Sequence, residues 1–205
     1  PWLDQWILPQ VREGLTGGKD GPLVAIPISY RYEGFWYRKD LFAKAGLDPA
    51  RGPKDWNEMY EYARALTDPE KDRWGFSLSG DQRAGIWFIN FVWAAGGEVV
   101  RRGEDGKEHC VFNDHAGVVA LNFHKKLRWS QWSRCPDDGA TFDVESVEIK
   151  TGEFRAVETP TCPKCGKTYP AASLRATARL YTGVVAYQAG YNFWEEFKRG
   201  KLAMC

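Results

Sequence analysis

Hydrophobic positions recur at helical spacing in several stretches of the chain and cluster into short apolar runs in others. Trp2, Leu3, Trp6, Ile7 and Val11 predict a helix over 2–13, ending near Gly14 and the loop Gly17-Gly18-Lys19-Asp20-Gly21. That loop lacks the G-x-x-x-x-G-K-S/T order, so it does not read as a phosphate cradle. Leu23 to Ile28 is an apolar run bounded by Gly and Pro and predicts a buried strand. Tyr30 to Tyr37 predicts a second strand, interrupted at Gly34, and Leu41 to Ala45 a short helix closed by Gly46.

Asp55-Trp56-Asn57-Glu58 is a capping pattern, in which the Asp accepts from the third helical amide and the Glu reaches back. It predicts a helix over 56–66, followed by a strand over 74–78 and a polar loop over 79–83. Ile86 to Ala95 is apolar on most sides and predicts a buried helix ending at Gly96-Gly97. Asn113 is the expected cap of a helix with core stripe Ala116, Val119, Ala120, Phe123 and Leu127. A last helix is predicted over 192–199, stopping at Gly200. Strands alternating with helices indicate an α/β layered structure. From about Trp129 to Tyr169 the pattern changes to short β-like runs and cysteines, which reads as an insertion.

Composition narrows the class. The 205 residues are 43% hydrophobic and carry 28 Lys+Arg against 27 Asp+Glu, a formal charge of +1. That is too apolar for a disordered tail and too balanced for a nucleic-acid binder that works by charge. The longest uncharged stretches, Leu180–Trp194 and Ala84–Gly97, fall short of the roughly 18–20 apolar residues a membrane span needs. The chain starts at Pro1 and stops at Cys205 directly after a helical run, which reads as an internal piece of a longer protein.

Several local signatures fall in a telling order. Leu23-Val24-Ala25-Ile26-Pro27 is followed by Phe35-Trp36-Tyr37-Arg38-Lys39-Asp40-Leu41-Phe42-Ala43-Lys44-Ala45-Gly46-Leu47 and then by Pro53-Lys54-Asp55-Trp56-Asn57-Glu58. Next come Trp74-Gly75-Phe76, Gly96-Gly97 and Phe112-Asn113-Asp114 with Ala120-Leu121, and finally Phe197-Lys198-Arg199-Gly200-Lys201-Leu202-Ala203-Met204. Over about residues 20–128 and 191–204 this resembles the extracellular solute-binding proteins of ABC sugar importers, the family typified by maltose-binding protein. Arg38 stands where that family usually has Asn, and Asp55 where it usually has Thr.

The resemblance implies a periplasmic-binding-protein type II fold, with two α/β lobes joined by crossing segments and ligand held between them. On that map residues 1–28 are the tail of lobe one, 29–128 and 170–205 are lobe two, and 129–169 form a small β-rich, zinc-ribbon-like insertion. It implies carbohydrate capture in the cleft and delivery to the permease subunits of a membrane transporter. It also implies a periplasmic or extracellular location, membrane-anchored in some such proteins, and a monomer when full length.

Sugars present apolar C–H faces and rings of hydroxyls, so their sites pair flat aromatics with planar polar groups. Two stretches fit. Tyr30, Arg31, Tyr32 and Glu33 follow the implied first crossing. Asp81, Gln82 and Arg83 lead into Trp87 at a helix start beyond a strand's carboxyl end. An enzyme is the competing class. However, His109, His115 and His124 form no H-x-x-x-H pair, no G-x-S-x-G is present, and nothing positions a glycosidase carboxylate pair.

Cys162-Pro163-Lys164-Cys165-Gly166 has the form of a zinc knuckle. Upstream, Cys135-Pro136-Asp137-Asp138-Gly139 repeats that form with Asp138 in the second cysteine's place. Residues 144–150 and 153–158 flank Thr151-Gly152 as a β-hairpin. The ligand set this suggests for a structural zinc is Cys135, Asp138, Cys162 and Cys165, with Cys110 or His109 as an alternative to Asp138. A Cys162–Cys165 disulfide or plain thiols are the other readings. The segment from Cys135 to Gly166 carries seven acidic residues against Lys150, Arg155 and Lys164, which disfavours a ribbon that docks nucleic acid.

Overall fold

The structure is a computed structural model and describes residues 34–80, 84–186 and 193–205, together with 15, 22, 24 and 25. It divides into two units, 1–34 and 35–205. In the first, the Val24 amide donates to the Leu15 carbonyl at 2.8 Å. The predicted helix over 2–13 lies outside the described residues. Of the predicted strand over 23–28 only Val24 and Ala25 are described, and neither is in a strand. Among the described residues of the first unit only Leu15 is helical, and the elements below belong to the second.

Helix α1 spans Lys39–Lys44, and Gly46 follows in the left-handed region at φ 75°. Helix α2 spans Trp56–Leu66, as predicted, because Asp55 accepts from the Glu58 amide at 2.8 Å. The reciprocal half of the capping box differs from the prediction. Glu58 accepts from the Lys54 amide at 2.8 Å, one residue before the cap. The Arg51 guanidinium grips both its oxygens, at 2.6 and 2.8 Å, and draws the carboxylate outward. At the far end Thr67 ties the helix to the chain at Gly75, since its hydroxyl donates to the Ala63 carbonyl and accepts from the Gly75 amide. Gly75 presses so closely on the Ala63 carbonyl that no Cβ fits there.

Beyond it lies strand β1, Phe76–Ser77, shorter than the predicted 74–78; Trp74 makes only an isolated bridge to Leu202. Helix α3, Ala84–Ala94, ends before Gly96 at φ 81°. It is not a buried helix. Only Val92 is buried, and Ile86 and Trp93 are 61% and 59% exposed. Its packing partner is α4, His115–Trp129, which Phe88 and Phe91 meet edge-on at His124. The apolar side of α3 away from α4 faces out of the unit.

A hairpin of β2 (Val100–Arg102) and β3 (Glu108–Cys110) separates the two helices. The cap of α4 is Asp114, not Asn113: its carboxylate accepts from the Gly117 amide at 3.1 Å. The Phe112 carbonyl abuts Gly117 without room for a Cβ, so the chain enters the helix one residue later than the pattern suggests. Ala116, Ala120, Phe123 and Leu127 form the buried stripe, with Val119 half-buried.

The largest sheet is antiparallel. It comprises β4 (Gln131–Arg134), β5 (Thr141–Val147), β6 (Phe154–Ala156) and, after helix α5 (Ala171–Ala176), β7 (Leu180–Thr182), in the order β6-β5-β4-β7. Trp132 faces Tyr181 across β4 and β7, and Val147 faces Phe154 across the predicted hairpin, whose turn holds Gly152 at φ 74°. Thus β4 and β5, from the 129–169 stretch, share a sheet with β7, which lies beyond it in the chain. Strand β8, Val185–Ala186, leaves this sheet and pairs in parallel with β1.

Helix α6, Phe193–Lys198, leads to Gly200 at φ 76°. The closing segment returns to the start of the unit, where Trp36 and Cys205 exchange backbone hydrogen bonds of 2.8 and 3.0 Å. Tyr37, the end of the predicted 30–37 strand, makes one bridge to Met204.

The core lies where these pieces meet. Phe42, Tyr60, Leu66, Phe123, Leu127, Trp132, Val184 and Met204 are fully buried in one cluster. Trp56 stacks on Phe123 with ring centroids 4.6 Å apart, so it is a packing residue.

Candidate functional site

Two turns of the same shape build the best-defined cluster of chemistry. In the first, directly after β4, the Cys135 amide donates to the Ala140 carbonyl at 2.8 Å, and the Gly139 amide donates back to the Cys135 carbonyl at 3.0 Å. In the second, the Cys162 amide donates to Lys167 at 2.8 Å and the Gly166 amide to Cys162 at 3.0 Å. Gly139 and Gly166 sit at φ 74° and 75°, which a residue with a Cβ adopts only at a cost. The carboxylate of Asp138 also accepts from the Ala140 amide at 2.8 Å, which fixes its direction.

The two turns face each other. The ligand-type atoms of Cys135, Asp138, Cys162 and Cys165 all lie within 4.8 Å of one another. Cys135 Sγ is 3.6 Å from Cys165 Sγ, and Cys162 Sγ is 3.4 and 3.6 Å from the two Asp138 oxygens. A tetrahedron with metal–sulfur bonds of about 2.3 Å and a metal–oxygen bond of about 2.0 Å has S···S edges of about 3.8 Å and S···O edges of about 3.5 Å. The Cys135–Cys165 and Cys162–Asp138 spacings fit those edges, and the remaining pairs lie within 4.8 Å. Cys135 and Cys162 are buried, Asp138 is half-buried and Cys165 is exposed.

Crowding of acidic groups bears on one member of the set. Cys165 is pushed up to about 11: the Lys167 amide works against the rise, while desolvation and the neighbouring Cys162, Cys135 and Asp138 outweigh it. Asp138 is held below the usual carboxylate range, first by the Ala140 amide. Three sulfurs and a carboxylate oxygen make a donor set that could hold a metal ion. Around it the Tyr169 hydroxyl lies 3.2 Å from Cys135 Sγ, and Lys167 pairs with Asp137 at 2.7 Å. The sequence gives no sign of either role, because no spacing rule singles out residues beyond the knuckle itself.

The alternatives to this ligand set do not assemble. His109 and Cys110 stand on β3, with His109 3.0 Å from Asp105, and neither belongs to the cluster. All five cysteines are free thiols, so Cys162 and Cys165 are not joined.

Of the predicted sugar-facing residues, Trp87 is described. It lies in the first turn of α3, half-buried, ten residues along the chain from the end of β1 at Ser77. Tyr30, Arg31, Tyr32, Glu33, Asp81, Gln82 and Arg83 lie outside the described residues. A cavity of about 420 Å³ lies elsewhere, between the carboxyl ends of α1 and α2 and the first knuckle. Two of its cations are already engaged at the end of α2, where Arg73 donates to the Leu66 carbonyl at 3.1 Å and Arg134 to the Thr67 carbonyl at 2.9 Å.

The chain belongs to the bacterial extracellular solute-binding protein family, whose profile matches residues 1–132. The match ends before the first knuckle. Among characterised sequences the chain is similar to the putative ABC transporter periplasmic-binding protein YcjN of Escherichia coli, 42% identical over 53 residues. It is also similar to the mannitol-binding protein of Pseudomonas aeruginosa, 38% identical over 74 residues. Those alignments cover 26% and 36% of this chain but only 12% and 16% of the relatives. Among solved structures, an ABC transporter solute-binding protein of Thermotoga lettingae bound to α-D-tagatose superposes with a TM-score of 0.50 at 19% identity. It matches 83% of this chain and 31% of its own. The fold is the type II periplasmic-binding-protein fold.

Proposed function

We propose that this chain is the ligand-capturing part of an ABC importer's receptor, which holds a carbohydrate or related polyol in an interlobe cleft and hands it to the permease. The family match over 1–132 carries this reading. The names of similar proteins support it, among them the mannitol-binding protein and the sn-glycerol-3-phosphate-binding protein UgpB of Salmonella typhimurium. In this reading the protein captures and releases its ligand without changing it, outside the cytoplasm. Tyr30, Arg31, Tyr32 and Glu33 line the floor of the cleft. Asp81, Gln82 and Arg83 take hydroxyls, and Trp87 stacks on a ring face. Ligand bridging both lobes shifts the population from open to closed.

The test is calorimetry on the full-length protein against a panel of sugars and polyols. Trp87→Ala weakens the best ligand about tenfold or more, the loss expected when a stacking aromatic is removed. Binding within twofold of the parent removes Trp87 from the site.

A second reading concerns the knuckles, and the gathering of their four donor atoms within 4.8 Å of one another favours it. Cys135, Asp138, Cys162 and Cys165 hold one zinc ion in a structural role, since four protein ligands leave no position for a reacting water. Elemental analysis of reduced, chelator-washed and zinc-reloaded protein tests this. One zinc per chain is expected; no zinc overturns it.

A further inference from the structure

The main core buries a broad set of large side chains, but the cluster at the knuckles buries only Cys135, Phe142, Val144, Cys162 and Leu174. Two of those five are the cysteines of the metal reading. The chain from 157 to 176 contributes no strand to the sheet. Its backbone is tied to the sheet where the Val157 amide donates to the Val144 carbonyl, while Tyr169 to Pro160 and Ala171 to Glu158 close the segment on itself. So small a core does not hold a segment in place by burial alone, and in small modules a metal supplies the missing tie.

From this segment a continuous path of hydrogen bonds leads to the edge of the proposed sugar site. The Arg179 amide donates to Leu174 at the end of α5, and the Arg179 carbonyl accepts from the Ser133 hydroxyl at 2.7 Å. The next three residues are β7, paired to β4. Gly183 then donates to the Ser130 carbonyl, and its own carbonyl accepts from Trp132 Nε1 at 3.1 Å. The Val184 carbonyl accepts from the Phe76 amide at 3.2 Å, and the Ala186 carbonyl from the Leu78 amide at 3.0 Å. Among the described residues β8 is the only strand paired with β1. The carboxyl end of β1 runs directly into residues 79–83 and Trp87.

Resting on the zinc reading above, we propose that metal binding at the two knuckles orders β7 and β8, and through them the strand that supports the ligand-facing loop. The knuckles are then a support for the receptor site and not a separate module. Metal that binds the folded arrangement and not the unfolded one shifts the population of every segment whose order depends on it.

Hydrogen exchange read by mass spectrometry on the reduced full chain, zinc-loaded and chelated, tests the proposal. Removal of zinc should speed exchange at 180–186 and at Phe76 and Leu78 by about tenfold or more, as local opening does, and change α2 amides by less than about twofold. Cys165→Ser, at the exposed ligand position, should reproduce that pattern with zinc present. Two results overturn the proposal while leaving the zinc site standing: one zinc bound with the change confined to 135–140 and 161–171, or a change spread evenly through α2. Absence of bound zinc overturns the zinc reading and this proposal together, and leaves the sugar-receptor reading untouched.

Discussion

The main core and the knuckle cluster solve the same problem by different means. Around α2 and α4, Phe42, Tyr60, Phe123, Leu127 and Trp132 come from separated stretches of chain and are excluded from water by one another. There burial itself is the main source of stability, each fully buried large side chain being worth roughly 1.5–3 kcal/mol against leaving it exposed. Around the knuckles the apolar contribution comes from Phe142, Val144 and Leu174, with Tyr169 stacked on Phe142 at 5.5 Å. What the second region has instead is four donor-type atoms within 4.8 Å of one another. In the zinc reading proposed above, chemistry of the side chains replaces area where a segment is too short to bury enough surface.

The comparison breaks most visibly at Cys162. Cys162→Ser should reduce bound zinc from one per chain to under about a tenth, since a buried ligand is lost and structural zinc affinity falls steeply with it. Elemental analysis reads the result, and unchanged zinc would remove that knuckle from the ligand set. Trp132→Ala strikes the point where the two regions meet, because Trp132 belongs to the main core yet sits on the strand that precedes Cys135. Urea unfolding should show a loss of about 3–5 kcal/mol, the range for a buried Trp reduced to Ala.

A smaller effect belongs to the main unit alone. His124 lies between Phe88 and Phe91 with Nε2 unpaired, and burial holds its pKa at about 4, below the ordinary 6.5. The folded chain therefore keeps this ring neutral while the unfolded chain takes up the proton. Stability falls as pH drops from about 6.5 to about 4, by on the order of 3 kcal/mol, and this contribution is constant above and below that window. The loss between pH 7 and pH 4.5, measured by urea midpoint, should shrink in His124→Phe; an equal loss in the variant assigns it elsewhere. Smallest is Asp114→Ala, which removes the α4 cap and should cost about 1 kcal/mol by the same measurement.

Local chemistry was legible in the sequence, and tertiary placement was not. Asp55 with Glu58 marks the start of α2, because both partners of a cap lie within four residues. The repeated Cys-Pro motif marks all four knuckle positions for the same reason. Asn113 and Asp114 are both good caps, and the choice between them was made by the Phe112 carbonyl lying against Gly117. The all-round apolar character of α3 says that the helix is apolar, and nothing about what covers it. The β2–β3 hairpin has a turn signal in Gly103-Glu104-Asp105-Gly106, but its strands are too polar to show the alternation that flags a half-buried sheet. The strands β7 and β8 are three and two residues long, and their partners lie far away in the chain.

The placement of the knuckles also has a mechanical side. Were the proposed ion to clasp Cys135 to Cys162, the β5–β6 hairpin would become a closed loop off the load-bearing line, because tension arriving along β4 would cross the clasp and leave along α5. Roughly 90 Å of extended chain, at about 3.4 Å per residue, would then be withheld from a molecule stretched by its ends until the clasp itself ruptures.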